Sequence, residues 1–250
     1  MFTRINKSGP EVYRFPRIDD LGFKTFVSGR GGGVSQAPFT SLNTDLTRGD
    51  NPSDVKQNME MIKDAAGVKA IWTPRQVHGD LLILVTDTFP DVMIEADAVA
   101  TNIPGVAIAV RTADCLPVIL VDPVTKTVAA IHAGRKGTEL SIASKTVKTL
   151  EKELDVKAKN LHAGLGPCIR SCCYEVDEKT ALYFHERCGA REGRLIDIAA
   201  ANIDQLTSAG LEATNIYDCG ICASCESHRF YSHRKDKGAT GRFISGVAII

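Results

Sequence analysis

The sequence has no apolar run long enough to span a membrane and no excess of charge of either sign. Its longest apolar runs, such as residues 106–110 and 128–131, have the length of strands and fall far short of the roughly 20 residues of a membrane-spanning helix. The first sixteen residues also lack the apolar core of a signal peptide. Lys plus Arg and Asp plus Glu both number 30, so net charge gives no reason to expect nucleic acid or a membrane as partner. We therefore expect a cytoplasmic protein with small substrates.

Cysteine is frequent, but eight cysteines in 250 residues are too few for a disulfide scaffold. In a reducing compartment such cysteines serve as core residues, metal ligands or nucleophiles. One group has the spacing of half a structural zinc site, with a histidine nearby: Cys219, Cys222, Cys225 and His228. Because structural zinc sites normally have four ligands, we favour a buried or inert role for this group. We interpret three others as packing residues beside a turn: Cys168, Cys172 and Cys173.

Short apolar segments bounded by Gly, Pro or Asp predict a domain rich in strands. The strand candidates are rich in Val, Ile and Ala, and several have the pattern of strands buried on both faces: residues 24–27, 81–85, 97–101, 106–110, 117–122, 127–132, 161–165 and 247–250. The periodicity of apolar residues and capping signals predict helices at residues 52–66, 136–154, 177–187 and 197–209. Because helices and strands are interleaved without strict alternation, the predicted fold class is α+β (mixed α/β).

Three polar residues stand where predicted strands meet loops: His78, Cys115 and His132. Strand ends often carry the chemistry of α/β proteins. Two imidazoles and one thiolate suit zinc, and three protein ligands leave a fourth position for water or substrate. Asp114, beside the cysteine, is a candidate for orienting a ligand. The three residues are far apart in sequence, so two satisfied histidines and one buried cysteine remain an alternative on spacing alone.

The segments around these residues resemble the three signature segments of the laccase-domain family: residues 76–79 (QVHG), 112–118 (TADCLPV) and 132–134 (HAG). Further ordered matches extend over nearly the whole chain: residues 41–43, 49–50, 55, 58, 166–169, 173–176, 222, 225, 232–234 and 238–242. The family is also known as multicopper polyphenol oxidase-like protein, bacterial purine nucleoside phosphorylase and peptidoglycan editing factor.

The resemblance implies a single domain over residues 1–250, a layered sandwich with mixed sheets between helices, as in the catalytic domain of cytotoxic necrotizing factor. It also implies phosphorolysis of adenosine, inosine, guanosine and methylthioadenosine, deamination of adenosine, and one catalytic zinc ion at His78, Cys115 and His132. Copper is the less favoured metal, because six scattered histidines include no His-x-His pair. A monomer is the default expectation, since no apolar interface stripe is visible.

Phosphorolysis needs a cationic or amide-lined pocket for phosphate and stabilisation of the charge that develops on sugar and base. Arg48 matches a polar position in the family's early segment, and Arg111 and Arg242 are further candidates for binding phosphate. Each could instead be a solvated surface residue. Asn43 either orients a ligand or forms a turn. Asp114 is the candidate proton carrier for deamination.

One departure from the family concerns substrate preference: Arg135 follows His-Ala-Gly where members usually have an aromatic residue. Three other functions remain open. The first is a metal-free cysteine hydrolase acting on an amide or cell-wall precursor, with Cys115 as nucleophile and His132 or His78 as base. A copper-dependent phenol oxidase ranks lower, and a non-enzymatic interaction protein gives no reason for three polar residues at strand ends.

Overall fold

Two six-stranded sheets form the centre of the structure, a computed structural model that describes residues 2–188 and 193–250. The strands are β1 (Thr3–Arg4), β2 (Val12–Arg14), β3 (Phe23–Ser28), β4 (Ile71–Trp72), β5 (Leu82–Val85), β6 (Ala98–Thr101), β7 (Ala107–Thr112), β8 (Leu116–Asp122), β9 (Thr127–Ala133), β10 (His162–Leu165), β11 (Ile216–Asp218) and β12 (Phe243–Ile249). The α-helices are α1 (Pro16–Asp19), α2 (Pro52–Ala66), α3 (Arg135–Glu139), α4 (Ile142–Leu154), α5 (Glu178–Cys188) and α6 (Ile198–Ser208). Within the described ranges, none of these helices is long and apolar enough to cross a membrane.

Both sheets are mixed. The first has the order β1-β2-β3-β12-β7-β4, and the second has the order β11-β10-β8-β9-β6-β5. The pairs β4–β7, β5–β6 and β10–β11 are parallel, whereas the other neighbours are antiparallel. The central strand β8 is buried along its whole length. Val118 and Leu120 face the helices, while Ile119 and Val121 face the other sheet. Burial on both faces explains the continuous apolar sequence.

The hydrophobic core is divided into three parts that separate four layers. Side chains of both sheets, including Val110 and Val121, fill the space between the sheets. Helix α2 covers the outer face of the first sheet through Ile62. Helices α4, α5 and α6 cover the outer face of the second sheet, with Val147 and Phe184 among the buried side chains. The order helix, sheet, sheet, helix confirms the predicted mixed α+β sandwich.

The predicted elements agree with the observed ones within two residues, apart from two differences. The predicted helix 136–154 is two helices, α3 and α4, because Ser141 has φ 62°, in the left-handed region that interrupts a right-handed helix. The last strand begins at Phe243, not at residue 247. Four strands and helix α1 were not predicted, since elements of two to four residues carry too little periodicity.

Candidate active site

His78, Cys115 and His132 converge at one end of the two sheets. Cys115 lies in the turn between β7 and β8, His132 lies near the end of β9, and His78 lies in the loop between β4 and β5. Their ligand atoms all lie within 4.8 Å of one another. The two imidazole rings have centroids 4.8 Å apart and planes at 82°. His132 is buried, Cys115 is half-buried and His78 is exposed, so the group can be reached from solvent.

The Asp97 carboxylate connects both histidines and was missed in the sequence. It accepts hydrogen bonds from the backbone N–H groups of Val77, His78 and Gly79 at 3.2, 2.9 and 2.6 Å. It also lies 2.7 Å from Nδ1 of His132, which leaves Nε2 as the nitrogen available for a ligand. The only sequence signal was an acid at the first residue of a predicted strand, where Asp is also an ordinary turn residue.

Asp97 stays ionised although its side chain is fully buried. Burial raises the pKa of this carboxyl, but hydrogen bonds from His132 and from the backbone of Gly79 outweigh burial and hold the pKa below its usual value. The same hydrogen bonds stabilise the backbone of His78, whose φ of 60° lies in the left-handed region that non-glycine residues rarely adopt.

Cys115 and His132 form a charged pair. Burial raises the pKa of the Cys115 thiol, but the charge and hydrogen bonds of His132 and His78 outweigh burial and lower the pKa to about 6. Burial lowers the pKa of His132, but the Cys115 thiolate and Asp97 outweigh it and raise the pKa to about 9. The thiolate is the form of cysteine that binds metals and attacks electrophiles, and it predominates here at neutral pH.

The surroundings of Cys115 fit a zinc ion. Two imidazoles and one thiolate within reach of each other are a donor set that zinc uses in catalytic sites. Gly134 stands directly against this group: a Cβ at that position would lie 2.9 Å from Sγ of Cys115 and 3.5 Å from Cδ2 of His78. Because Gly134 has no side chain, Cys115 and His78 can occupy their present positions.

A cleft of about 800 Å³ opens onto these residues, a size that suits a small-molecule ligand. Its lining carries seven cationic side chains: Arg48, Arg75, Arg111, Arg135, Lys136, Arg234 and Arg242. Two carboxylates also line it, Asp45 and Asp114. Three of the seven pair with a carboxylate: Arg48, Arg75 and Arg135. The lining still has more cationic than anionic side chains, although the whole chain has a formal net charge of zero.

Arg111 and Arg242 bring guanidinium groups to the cleft without a carboxylate partner among the described residues. Arg111 donates from Nε to the carbonyl oxygen of Thr44 and from Nη1 to the hydroxyl of Thr73, both at 2.7 Å. Arg242 donates to the carbonyl oxygen of Gly241 at 2.8 Å. Burial lowers the pKa of both side chains, yet arginine remains protonated in proteins. Two guanidinium groups without a salt bridge among the described residues therefore line the cleft, and the Asp45 carboxylate is near enough to act on both.

Arg48 and Asn43 occupy different places. Arg48 lines the cleft, is 43% exposed and lies 3.5 Å from the Asp45 carboxylate. Asn43 is fully buried behind the wall. Its side chain accepts a hydrogen bond from the backbone N–H of Arg242 at 2.8 Å and donates one to Asp50 at 2.9 Å. Two roles were considered for Asn43, orienting a ligand and forming a turn. Its hydrogen bonds fit the second, because they hold the turn that carries Arg242.

Asp114 lines the cleft, but its carboxylate forms hydrogen bonds with residues other than His78, Cys115 and His132. Oδ1 accepts a hydrogen bond from the hydroxyl of Ser232, and Oδ2 accepts one from the backbone N–H of Arg234, both at 2.6 Å. The ligand-orienting contact expected of Asp114 is made by Asp97 instead, because Asp97 faces Nδ1 of His132. Burial raises the pKa of Asp114, and the bonds from Ser232 and Arg234 only partly oppose this rise.

Further residues from the second half of the chain complete the cleft and were not among the predicted site residues: Tyr174, His233 and Arg234. The guanidinium of Arg234 lies 5.3 Å from the centroid of the Tyr174 ring. The available signal was that residues 173–176 and 232–234 match family motifs. Arg135 also lines the cleft and forms an ion pair with Glu139 at 2.6 Å, so the residue that departs from the family pattern is part of the cleft wall.

Sequence comparison identifies relatives along most of the chain. A family model described as multi-copper polyphenol oxidoreductase laccase matches residues 24–250. A protein of Deinococcus radiodurans named purine nucleoside phosphorylase is 38% identical, over 93% of this chain and 92% of its own. The YlmD protein of Bacillus subtilis, also named purine nucleoside phosphorylase, is 32% identical, over 91% of this chain and 87% of its own.

Solved structures are similar over the same extent. The crystal structure of YlmD from Geobacillus stearothermophilus has a TM-score of 0.89 and 27% identity, covering 99% of both chains. A hypothetical protein YfiH of Bacillus licheniformis has a TM-score of 0.88 and 30% identity, covering 100% of this chain and 99% of its own. With a family model over nearly its whole length and relatives that share its fold, the chain belongs to the laccase-domain family.

Proposed function

We propose that this protein is a zinc-dependent purine nucleoside phosphorylase that also deaminates adenosine. Its substrates in this proposal are adenosine, inosine, guanosine and methylthioadenosine, with inorganic phosphate as the second substrate. The observation that carries the proposal is that Arg111 and Arg242, which lack carboxylate partners among the described residues, face the same cleft as the His-Cys-His group. The names of the relatives support the same reaction class.

In this proposal His78, Cys115 and His132 hold the zinc ion. When bound, the ion supplies Lewis acidity, which stabilises negative charge on oxygen and lowers the pKa of water. Cys115 contributes a thiolate already present at neutral pH. Asp97 contacts Nδ1 of His132 and the backbone N–H of His78, so it holds the ring of His132 and the backbone position of His78.

Phosphate binding falls to Arg48, Arg111 and Arg242, since guanidinium groups bind phosphate oxygens through paired hydrogen bonds. In phosphorolysis a phosphate oxygen forms a bond to C1′ of the sugar. The bond from C1′ to the purine nitrogen breaks, and the purine leaves with its electron pair and takes up a proton. Holding both substrates in one cleft removes much of the entropic cost of their encounter.

Asp114 is the proposed proton carrier. Its carboxyl lines the cleft, and burial raises its pKa, so it retains a proton to a higher pH than an exposed aspartate. The hydroxyl of Ser232 and the backbone N–H of Arg234 fix its orientation. A group placed and tuned in this way can donate a proton to a leaving purine and recover it afterwards.

A second candidate function, a cysteine hydrolase, is favoured by one specific arrangement. The ligand atoms of Cys115 and His132 lie within 4.8 Å of one another, and Nδ1 of His132 lies 2.7 Å from Asp97. Nucleophile, base and orienting carboxylate in this order are the arrangement of cysteine-dependent acyl transfer. The substrate would then be an amide, such as a cell-wall precursor, and no metal would be required.

The experiment that tests the proposal follows adenosine and inosine with and without phosphate, measuring free base, ribose 1-phosphate, ammonia and bound zinc. In the wild type we expect release of free base that depends on phosphate, and release of ammonia from adenosine that does not. Cys115→Ala should lose both activities together with one zinc equivalent. We expect Arg242→Gln to raise the KM for phosphate about 10-fold or more, because a hydrogen bond to a charged group contributes about 1.5–3 kcal/mol.

The matched control is Arg75→Gln, since Arg75 lines the same cleft but is 65% exposed and already paired with Glu95. Its KM for phosphate should stay within about twofold of wild type, as for a solvent-screened charge. Zinc-free protein that hydrolyses amides but leaves nucleosides intact would reject the phosphorylase and support the cysteine hydrolase.

A further inference from the structure

Outside the cleft, the structure gathers four cysteines from two segments about fifty residues apart. The sulfur atoms of Cys172, Cys173, Cys222 and Cys225 all lie within 4.8 Å of one another. Sγ of Cys225 lies 3.5 Å from Sγ of Cys172 and 3.5 Å from Sγ of Cys173. Thiolates about 2.3 Å from a tetrahedral zinc ion lie about 3.8 Å from one another. The spacing of the four sulfurs is therefore close to that of a tetrathiolate zinc site.

We propose that Cys172, Cys173, Cys222 and Cys225 bind a second zinc ion, which has a structural role and does not depend on the proposed function. Four thiolates make a closed coordination shell of the kind found in structural zinc sites. Cys172 and Cys225 are exposed, so the ion can enter from solvent. Cys222 is buried and Cys173 is half-buried, so one ligand of each segment is held within the fold.

The site differs from the one considered in the sequence. Cys219 lies outside the group of four, and His228 is exposed and paired with Glu226 at 3.5 Å. Cys172 and Cys173, interpreted from sequence as packing residues, supply the missing pair of ligands. The spacing of cysteines within one segment could not reveal this set of four, because the two pairs are distant in sequence and come together only in the folded chain.

The position of the cluster indicates what the ion does. A parallel bridge between Cys168 and Cys222 already joins the two segments. On the cleft side of this junction, the backbone N–H of Ile169 donates to the carbonyl oxygen of Asp114 at 2.8 Å, and Tyr174 lines the cleft. An ion held by both segments would fix the wall that carries Ile169 and Tyr174.

The test counts zinc per chain in protein purified under reducing conditions and compares three variants with the wild type. Cys172→Ser/Cys225→Ser removes two exposed ligands, Cys115→Ala removes a donor of the cleft, and Cys219→Ser is the matched control three residues from Cys222. We expect two equivalents in the wild type and in Cys219→Ser, and one in each of the other variants. Cobalt substitution of Cys115→Ala should give the intense absorption of a tetrathiolate site, and the double serine variant should lack it.

The separate counts distinguish this proposal from the proposed function. Loss of the cleft metal alone leaves one equivalent in every chain with four intact cysteines. The second site is refuted if the reduced wild type holds no zinc beyond the equivalent removed by Cys115→Ala and all four thiols react freely with a thiol reagent. A disulfide between Cys225 and Cys172 or Cys173 that persists in place of metal would refute it equally.

Discussion

At the scale of single residues, Asp97 determines the chemistry of its neighbours more than any other side chain in the cleft. It accepts three backbone hydrogen bonds around His78 and contacts the ring of His132. It thereby sets the position of one imidazole and the charge of the other. Because the His132 charge in turn favours the Cys115 thiolate, a substitution at Asp97 should change the pKa of Cys115 although the two side chains are not in contact.

We predict that Asp97→Asn raises the pKa of Cys115. In metal-free wild-type protein, the Cys115 pKa of about 6 makes the thiolate abundant above that pH, so alkylation by iodoacetamide should increase with a midpoint near pH 6. Asp97 raises the pKa of His132, so removing its charge weakens the imidazolium that stabilises the thiolate. The midpoint should then move upward, toward the ordinary pKa of a thiol. Mass spectrometry of the Cys115 peptide measures the rate at each pH.

Asp80→Asn is the control, because Asp80 is only two residues from His78 but pairs with Lys145 at the surface. Its alkylation profile should match that of the wild type. Equal profiles for all three proteins would contradict the coupling of Asp97 to Cys115.

His78, Cys115 and His132 could be named as candidates from sequence because each stands in a segment that resembles a family signature, and the structure brings their ligand atoms together. Asp97 could not, since its role depends on a loop twenty residues earlier folding back over the start of β6. The same reason applies to Tyr174 and Arg234, which reach the cleft from segments that are distant in the chain. Contacts between such segments leave no local pattern in a single sequence.

At the scale of elements, the junction between β9 and α3 places the donors. The buried strand β9 ends at Ala133, one residue after His132. Gly134 then leads into α3, and its carbonyl oxygen accepts a hydrogen bond from the backbone N–H of Thr138 at 2.8 Å. This close approach of backbone to Cys115 is possible only without a side chain, because the 2.9 Å between a Cβ and Sγ is shorter than van der Waals contact.

We predict that Gly134→Ala weakens zinc binding at the cleft about 10-fold or more, as is typical when the support of a metal ligand is displaced. The new methyl group must push Cys115 or His78 away, whereas the core of both sheets is untouched. Zinc affinity can be measured by competition with a chromophoric chelator, and circular dichroism reports whether the fold is retained.

Gly105→Ala serves as the comparison, because a Cβ at Gly105 meets nothing within 4 Å while its φ of 87° still makes alanine unfavourable. This variant should lose stability and keep its zinc affinity. Unchanged zinc affinity in Gly134→Ala would show that zinc binding does not depend on the present position of Cys115.

The longer elements were predictable because burial on two faces, or on one helix face, leaves a periodic pattern. The break between α3 and α4 was not predicted, since nothing in the sequence marks Ser141 for a left-handed conformation, which non-glycine residues rarely adopt. The short edge strands β1, β4 and β11 form by pairing with longer neighbours, so their own sequences hold little information.

At the scale of the whole molecule, positive and negative side chains are equal in number but unevenly distributed. The formal net charge of zero gave no indication that the protein binds anions. The fold nevertheless collects seven cationic side chains and two carboxylates around one cleft. Low-dielectric walls concentrate such a field, so the chain attracts anions at one place without being a basic protein.

We predict that ionic strength affects phosphate and nucleoside differently. The KM for phosphate should rise several-fold between about 0.01 and 0.1 M salt, over which the Debye length falls from about 30 to about 10 Å. The KM for inosine, which is uncharged, should change little and so provides an internal control. Steady-state kinetics at a series of sodium chloride concentrations measures both. Parallel increases in the two constants would show that the cationic side chains do not act on phosphate.

The central place of β12 also bears on how the chain folds as it is made. The strand lies between β3 and β7 and pairs with both, and Arg242 immediately precedes it. Among the strands of the described residues β12 comes last in chain order, so β3 and β7 each lack this neighbour until it has been made. Unpaired edges invite association with other chains. We therefore expect chains cut short before β12 to aggregate, and the cleft to gain Arg242 only when the chain reaches this strand.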